Sequence, residues 1–169
     1  ISAALFGTRV HADNGVNYNT FTLSDGRLVR TQTAYITIGD INELGGVSLD
    51  TPMDLQIVDN TMYIASITSD SGKIIVFDMD TEVATVIGED FLVNPTGVFA
   101  TDEGHIYVAD QDGNMAYKLD DQGNILVEYD RPDSPLFGTE NYQPKKILAD
   151  ARGNVYILNL GTKGLAQFT

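Results

Sequence analysis

Residues 94–110 read NPTGVFATDEGHIYVAD, and this stretch decides the fold class. A proline begins an extended apolar run, a turn at Asp102-Glu103-Gly104 reverses the chain, and a second apolar run is centred on Tyr107. The turn residues favour positive φ and short side-chain hydrogen bonds, which a tight reversal needs. The stretch therefore predicts a β-hairpin.

The same pattern occurs three times, and the other two copies are Thr51–Ser66 and Gln143–Asn159. Their prolines, Pro52, Pro95 and Pro144, are 43 and 49 residues apart. A repeat of this length is typical of proteins that build one small sheet per repeat. We therefore expect the central tyrosines at equivalent positions. These are Tyr63, Tyr107 and Tyr156.

Further apolar runs complete each repeat. The third runs are Lys73–Asp78, Met115–Asp120 and Gly164–Phe168, and fourth runs follow in the first two repeats, at Val83–Ile87 and Ile125–Tyr129. The second runs lack polar alternation, so both faces of those strands should be buried. Sheets stacked around an axis bury both faces, as in the blades of a β-propeller. The sequence predicts an all-β fold with four-stranded antiparallel blades, and only Glu43-Leu44 suggests a single helical turn.

The repeat resembles the NHL-repeat β-propeller family. The resemblance is carried by a Pro, an apolar strand, Asp-x-x-Gly, Ile-Tyr-Val-Ala-Asp and a later Val-Phe-Asp or Lys-Leu-Asp-x-x-Gly, and it covers Thr51 to Phe168. Ser66 and Asn159 stand where the family usually has Asp. The resemblance implies a ring, commonly of six blades, that an amino-terminal hairpin completes. Here that hairpin would be Tyr18–Leu23 and Leu28–Ile38, joined at Ser24-Asp25-Gly26-Arg27.

The repeats are too few to close a ring. Pro52 to Thr169 spans 118 residues, which is less than three full repeats, whereas propellers usually have at least about four blades. We therefore expect an incomplete ring. A truncated chain, two chains that join as half-rings and an open arrangement are the three explanations. A half-ring exposes a large apolar face, so we expect self-association through the open propeller ends.

Three segments divide the chain. Residues 51–169 are expected to form the blades, and residues 13–50 the amino-terminal hairpin segment. Residues 1–12 resemble the end of a signal peptide, with Val10 and Ala12 at the positions that a signal peptidase prefers. The sequence therefore predicts a secreted or cell-surface, extracytoplasmic protein.

The composition excludes several classes of function. There are 24 acidic and 10 basic residues, and the net charge of -14 repels phosphate backbones and anionic headgroups. Nucleic-acid binding is therefore not expected. The absence of cysteine excludes disulfides and thiolate metal sites. No apolar run reaches the roughly 18 residues that a transmembrane helix requires, so no transmembrane segment is expected.

Candidate ligand-binding residues lie where strand-connecting loops meet at one end of a propeller channel. They are Asp54, Asp110, Tyr142, Lys145, Lys146 and Asn159. The adjacent lysines favour an anionic or polyhydroxyl group, and regular strand alternation would let only one of them face the channel. For Asp110 and Asn159 the alternative is that they bond neighbouring amides and fix turns.

The insertion 131–142 suggests a second recognition surface. Phe137 and Tyr142 lie near prolines, where exposed aromatic rings would suit sugar or peptide stacking. The alternative is that these rings plug the edges of blades. A protein or a carbohydrate is therefore the expected partner.

Metal chemistry has little support in the sequence. Asp110 and Asp112 imitate the start of a calcium loop, which makes them weak metal candidates, but the carboxylate expected at loop position 12 would follow an intervening strand. The two histidines, His11 and His105, lie far apart in sequence and give no zinc pattern. No cofactor is expected, apart from this weak indication of Ca²⁺.

Together these patterns favour an extracytoplasmic binding or protein-interaction module. The alternative is a metal-dependent enzyme of the lactonase or lyase type, whose site would need blades beyond this chain. A structural spacer is a third reading. No catalytic residue is predicted.

Overall fold

The computed structural model describes residues 21–24, 27–30, 39–137 and 139–169. The chain divides into two units, residues 1–41 and residues 42–169. Within the described ranges, no helix is long and apolar enough to cross a membrane.

In the first unit, β1 (Phe21–Ser24) and β2 (Arg27–Arg30) form an antiparallel hairpin. This pair corresponds to the centre of the predicted amino-terminal hairpin. The predicted ends at Tyr18 and Ile38, and the suspected signal remnant before them, lie outside the described residues.

In the second unit, most strands belong to three antiparallel sheets. The strands are β3 (Glu43–Leu44), β4 (Val47–Ser48), β5 (Thr51–Val58), β6 (Thr61–Ile67), β7 (Gly72–Asp78), β8 (Val83–Ile87), β9 (Pro95–Ala100), β10 (Ile106–Asp110), β11 (Met115–Leu119), β12 (Ile125–Tyr129), β13 (Pro144–Ala149), β14 (Val155–Asn159) and β15 (Gly164–Phe168). The first blade is β5 to β8, the second blade is β9 to β12, and the third blade is the three strands β13 to β15. A single 3₁₀ turn, Pro135–Phe137, is the only helix among the described residues. The predicted all-β class is confirmed.

The three central tyrosines occupy equivalent positions. Each lies on the second strand of its blade, opposite the first strand on one side and the third strand on the other. The pairs are Tyr63 with Gln56 and Val76, Tyr107 with Phe99 and Lys118, and Tyr156 with Leu148 and Gln167. The predicted equivalence is confirmed.

The blades pack face to face through two apolar clusters. Between the first and second blades the cluster includes Ala65, Ile74, Val98, Val108 and Leu119. Between the second and third blades it includes Tyr107, Ala109, Ile147, Ile157 and Ala166. Because the second blade contributes to both clusters, both faces of its second strand β10 are buried, as the unbroken apolar run predicts.

A short hairpin covers part of the remaining face of the first blade. Gly45 and Gly46 have φ of 54° and 83°, which suits a two-residue turn between antiparallel strands. The helical turn expected near Glu43 is therefore wrong. Leu44 and Leu49 pack with Ile64, Ile75 and Phe77 in a third apolar cluster.

The two outer faces stay partly open. On the first blade, Leu55 and Ile57 are 62% and 49% exposed. On the third blade, Leu148, Leu158 and Leu165 are 49%, 50% and 61% exposed. The exposed sheet face that we expected from a half-ring is thus confirmed.

Candidate functional site

The first strand of every blade carries a β-bulge at the same place. The pairing with the second strand skips one residue in each blade, namely Met53, Thr96 and Lys145. A bulge re-aims side chains and strengthens the local twist, and bulges are common beside binding sites. The regular alternation that we expected for Lys145 and Lys146 is therefore interrupted at Lys145. We name this part of the molecule the bulge end.

The bulge end brings three blades together through one carboxylate. Asp54 of the first blade accepts a hydrogen bond from the Val98 N–H of the second blade, at 2.9 Å. The other carboxylate oxygen of Asp54 lies 2.7 Å from the Lys146 Nζ of the third blade. The Lys146 side chain remains 43% exposed, and that of Asp54 23%. The ion pair is therefore accessible to a ligand.

Gly97 makes this approach possible. It is the second-blade equivalent of Asp54 and Lys146, because the three residues pair with Ala109, Ala65 and Leu158 at the same step of the ladder. A Cβ atom on Gly97 would lie 2.9 Å from the Lys145 carbonyl oxygen and 3.0 Å from the Lys146 Cα. Only glycine leaves room for the third blade to pack this closely.

Side chains of each blade also bind the main chain of the next blade. Gln56 accepts from the Ala100 N–H at 2.7 Å and donates to the Ala100 carbonyl at 3.2 Å. Thr96 donates to the Lys145 carbonyl at 3.1 Å. These bonds were not predicted from the sequence. The feature of the sequence that could have indicated them is a polar residue, such as Gln56, within the apolar first strand of a repeat.

Asp110 serves the backbone of its own blade. Its side chain is fully buried and accepts from the Asn94 N–H at 2.7 Å, the Val93 N–H at 2.9 Å and the Gly113 N–H at 3.2 Å. These bonds fix the segment that leads into β9. Asp110 therefore bonds neighbouring amides and fixes a turn, which was the alternative to ligand binding.

Asn159 and Ser66 occupy the equivalent positions in the other blades and do the same work. Asn159 accepts from the Gln143 N–H at 2.5 Å and donates to the Asn141 carbonyl at 3.3 Å. Ser66 donates to the Leu49 carbonyl. Both are buried, and each bonds the segment that precedes its blade, Asn159 as acceptor and donor and Ser66 as donor.

Tyr142 is not an exposed ring. It is 2% exposed and belongs to the cluster between the second and third blades, where it meets Phe137 edge to face at 5.8 Å. Burial raises the pKa of Tyr142, and its hydroxyl has no hydrogen-bond partner among the residues that the structure describes. The expected stacking surface at Tyr142 is therefore wrong, because the ring plugs the edge between blades instead.

The weak metal candidates engage protein groups. Asp112 accepts a hydrogen bond from the Asn94 side-chain amide at 2.8 Å. Asp110 accepts hydrogen bonds from three main-chain N–H groups. In the part of the chain that the structure describes, no group of three or more histidine, aspartate or glutamate side chains is placed to hold a metal ion.

Comparison with solved structures identifies the fold. No protein-family model matches the chain, and no curated protein matches its sequence. Virginiamycin B lyase from Staphylococcus aureus is similar over 75% of this chain and 41% of its own, with 14% identity and a TM-score of 0.57. Hydrazine synthase of Kuenenia stuttgartiensis is similar over 75% of this chain and 33% of its own, with 18% identity and a TM-score of 0.50.

The chain thus spans less than half the length of either structure. At these identities the likeness concerns the fold alone. The similar structures include β-propellers, and the described residues form antiparallel blades with open outer faces. The chain therefore has a β-propeller fold in the form of an incomplete ring.

Proposed function

We propose that this chain is an extracytoplasmic, NHL-like binding module that holds an anionic group of its ligand at the bulge end. Lys145 and Lys146 would bind the anion. Asp54 would position Lys146 and compete with the ligand for it. The observation that carries the proposal is the Lys146–Asp54 pair, which places a cation of the third blade, 43% exposed, beside the first strands of the other two blades.

The local charge supports an anionic ligand despite the acidic chain. Residues 143–169 contain four basic residues and one acidic residue, whereas residues 42–142 contain 3 basic and 20 acidic residues. An anion that approaches the third blade therefore meets a positive region. A charge-assisted hydrogen bond there contributes about 1.5 to 3 kcal/mol.

The experiment measures the binding of oligogalacturonate, which carries both carboxylates and hydroxyls, by isothermal titration calorimetry. We expect Lys145→Ala and Lys146→Ala each to weaken binding at least tenfold. Asp54→Asn should tighten binding, because it keeps an acceptor for the Val98 N–H while it frees Lys146. Arg152→Ala is the matched control, since it removes a charge from the same blade in the turn between β13 and β14, at the opposite end from the bulge.

The proposal fails if neither Lys145→Ala nor Lys146→Ala weakens binding more than Arg152→Ala does, or if oligogalacturonate does not bind at all. The extracytoplasmic part has its own test. Expression of the natural gene followed by cell fractionation should place the protein outside the cytoplasm. Recovery in the cytoplasmic fraction would contradict that part.

A further inference from the structure

The outer face of the third blade carries apolar side chains, as a buried surface does. Leu158 and Leu165 lie directly opposite each other on β14 and β15, and Leu148 pairs with Tyr156 beside them. The equivalent face of the second blade, with Tyr107, is buried against the third blade. Apolar side chains that are half exposed or more thus cover a face that its neighbour in the same chain buries.

The outer face of the first blade is the complementary half of such a contact. Leu55 and Ile57 project from β5, opposite Ile64 and Met62 of β6. The hairpin β3–β4 covers Ile64 but leaves Leu55 62% exposed. On the second and third blades, the equivalent face packs against the blade that precedes it in the chain.

The charges of the two ends are opposite. The first blade and its covering hairpin, residues 42–92, contain ten acidic residues and one basic residue. The third blade, residues 143–169, contains four basic residues and one acidic residue. Opposite potentials favour contact between unlike ends and disfavour contact between two first blades or two third blades.

We propose that the third-blade face of one copy of this chain docks on the first-blade face of a second copy, head to tail. The occupant of each open face is therefore the opposite face of the same protein. This goes beyond the proposed anion site, although Lys145 and Lys146 of that site supply two of the four basic residues of the third blade. When the same contact forms twice about a twofold axis, the two copies close and no open face remains.

The experiment is sedimentation velocity on the chain of 169 residues between about 1 and about 100 µM, the range of moderate self-association. The unmodified chain should sediment as a species of twice 18.4 kDa at the upper concentrations. Leu158→Asp on the third-blade face and Leu55→Asp on the first-blade face should each give monomers. Leu126→Asp, at a position on β12 that is 49% exposed, is the matched control and should remain dimeric.

Mixing distinguishes head-to-tail docking from a symmetric contact. Leu158→Asp retains an intact first-blade face and Leu55→Asp an intact third-blade face, so an equimolar mixture should form dimers although neither variant does so alone. Circular dichroism checks each fold, and Leu165→Asp replaces Leu158→Asp if that variant unfolds. A monomeric unmodified chain, a Leu158→Asp variant that still dimerises, or a mixture that stays monomeric would each overturn the proposal.

Discussion

The second and third blades have the same strand register, but equivalent positions are buried in the second blade and exposed in the third. Ala109 and Ala116 of the second blade are 0% exposed, whereas their equivalents Leu158 and Leu165 in the third blade are 50% and 61% exposed. The small residues lie where another blade packs closely. The comparison shows that the neighbouring sheet, and not the strand itself, decides whether a position is core.

The opposite faces of the three blades lead to the same conclusion. Leu55, Val98 and Ile147 are equivalent residues of the three first strands, and their exposed fractions are 62%, 6% and 5%. Only the first of them lacks a preceding blade within the described residues. Apolar side chains thus mark a packing face even where no sheet covers it.

The largest expected effect comes from two adjacent residues on opposite faces of β14. Ile157, which is fully buried between the second and third blades, should lose about 2 to 5 kcal/mol of unfolding free energy on replacement with alanine. Leu158→Ala should cost about 1 kcal/mol or less, because the side chain is half exposed. Urea denaturation at low protein concentration measures both, and equal losses would contradict an open third-blade face.

An intermediate effect is expected at Gly97. Gly97→Ala should destabilise the chain by about 1 to 3 kcal/mol, because the new Cβ would overpack against the main chain of the third blade. Gly164→Ala is the control, since a Cβ atom there would lie 3.4 Å from the Thr162 Oγ1, an ordinary contact distance. Thermal unfolding of both variants checks this. A tolerated Gly97→Ala would show that the contact between the second and third blades is looser than described.

The smallest effect concerns two similar turns, which differ in that Asp150 also accepts a hydrogen bond from the Tyr156 hydroxyl at 3.3 Å. Asp120 and Asp150 each accept side-chain and main-chain hydrogen bonds from the asparagine four residues later. These bonds, the side-chain bond foremost, lower the pKa of both carboxyls. Their contribution to stability is therefore present above about pH 4, the usual range of a free carboxyl, and is lost as pH falls through the lower pKa of the folded state.

Replacing Asp120 or Asp150 with asparagine should flatten the decline of stability below about pH 4, by a similar small amount for each turn. Urea titrations at several pH values measure this decline. A much smaller effect at Asp150 than at Asp120 would show that the open face of the third blade weakens its turn as well.

The sequence was sufficient to predict the strands of the blades, because apolar runs and turn residues indicate the same strand boundaries. The predicted fourth runs Val83–Ile87 and Ile125–Tyr129 match β8 and β12, since apolar runs and Asp-Gly turns bound each strand. The hairpin at 43–48 was not predicted. Its two adjacent glycines allow positive φ, but its two-residue strands are too short to show alternation.

The site was predictable only as a set of positions. Strand order alone placed Asp54, Lys145 and Lys146 at the same end of the blades. The bulge that interrupts their alternation depends on how sheets twist against each other, so no local pattern reveals it. The burial of Tyr142 likewise depends on Phe137 and on the two blades between which it packs.

The bonds between neighbouring blades have a consequence for evolution. Gln56 binds the main chain of residue 100, and Thr96 binds the main chain of residue 145. Neither bond depends on the identity of the residue that it reaches. Mutations at the receiving positions therefore leave these bonds intact unless they introduce proline or excess bulk, so the side chains at these positions can diversify while the order of the blades is maintained.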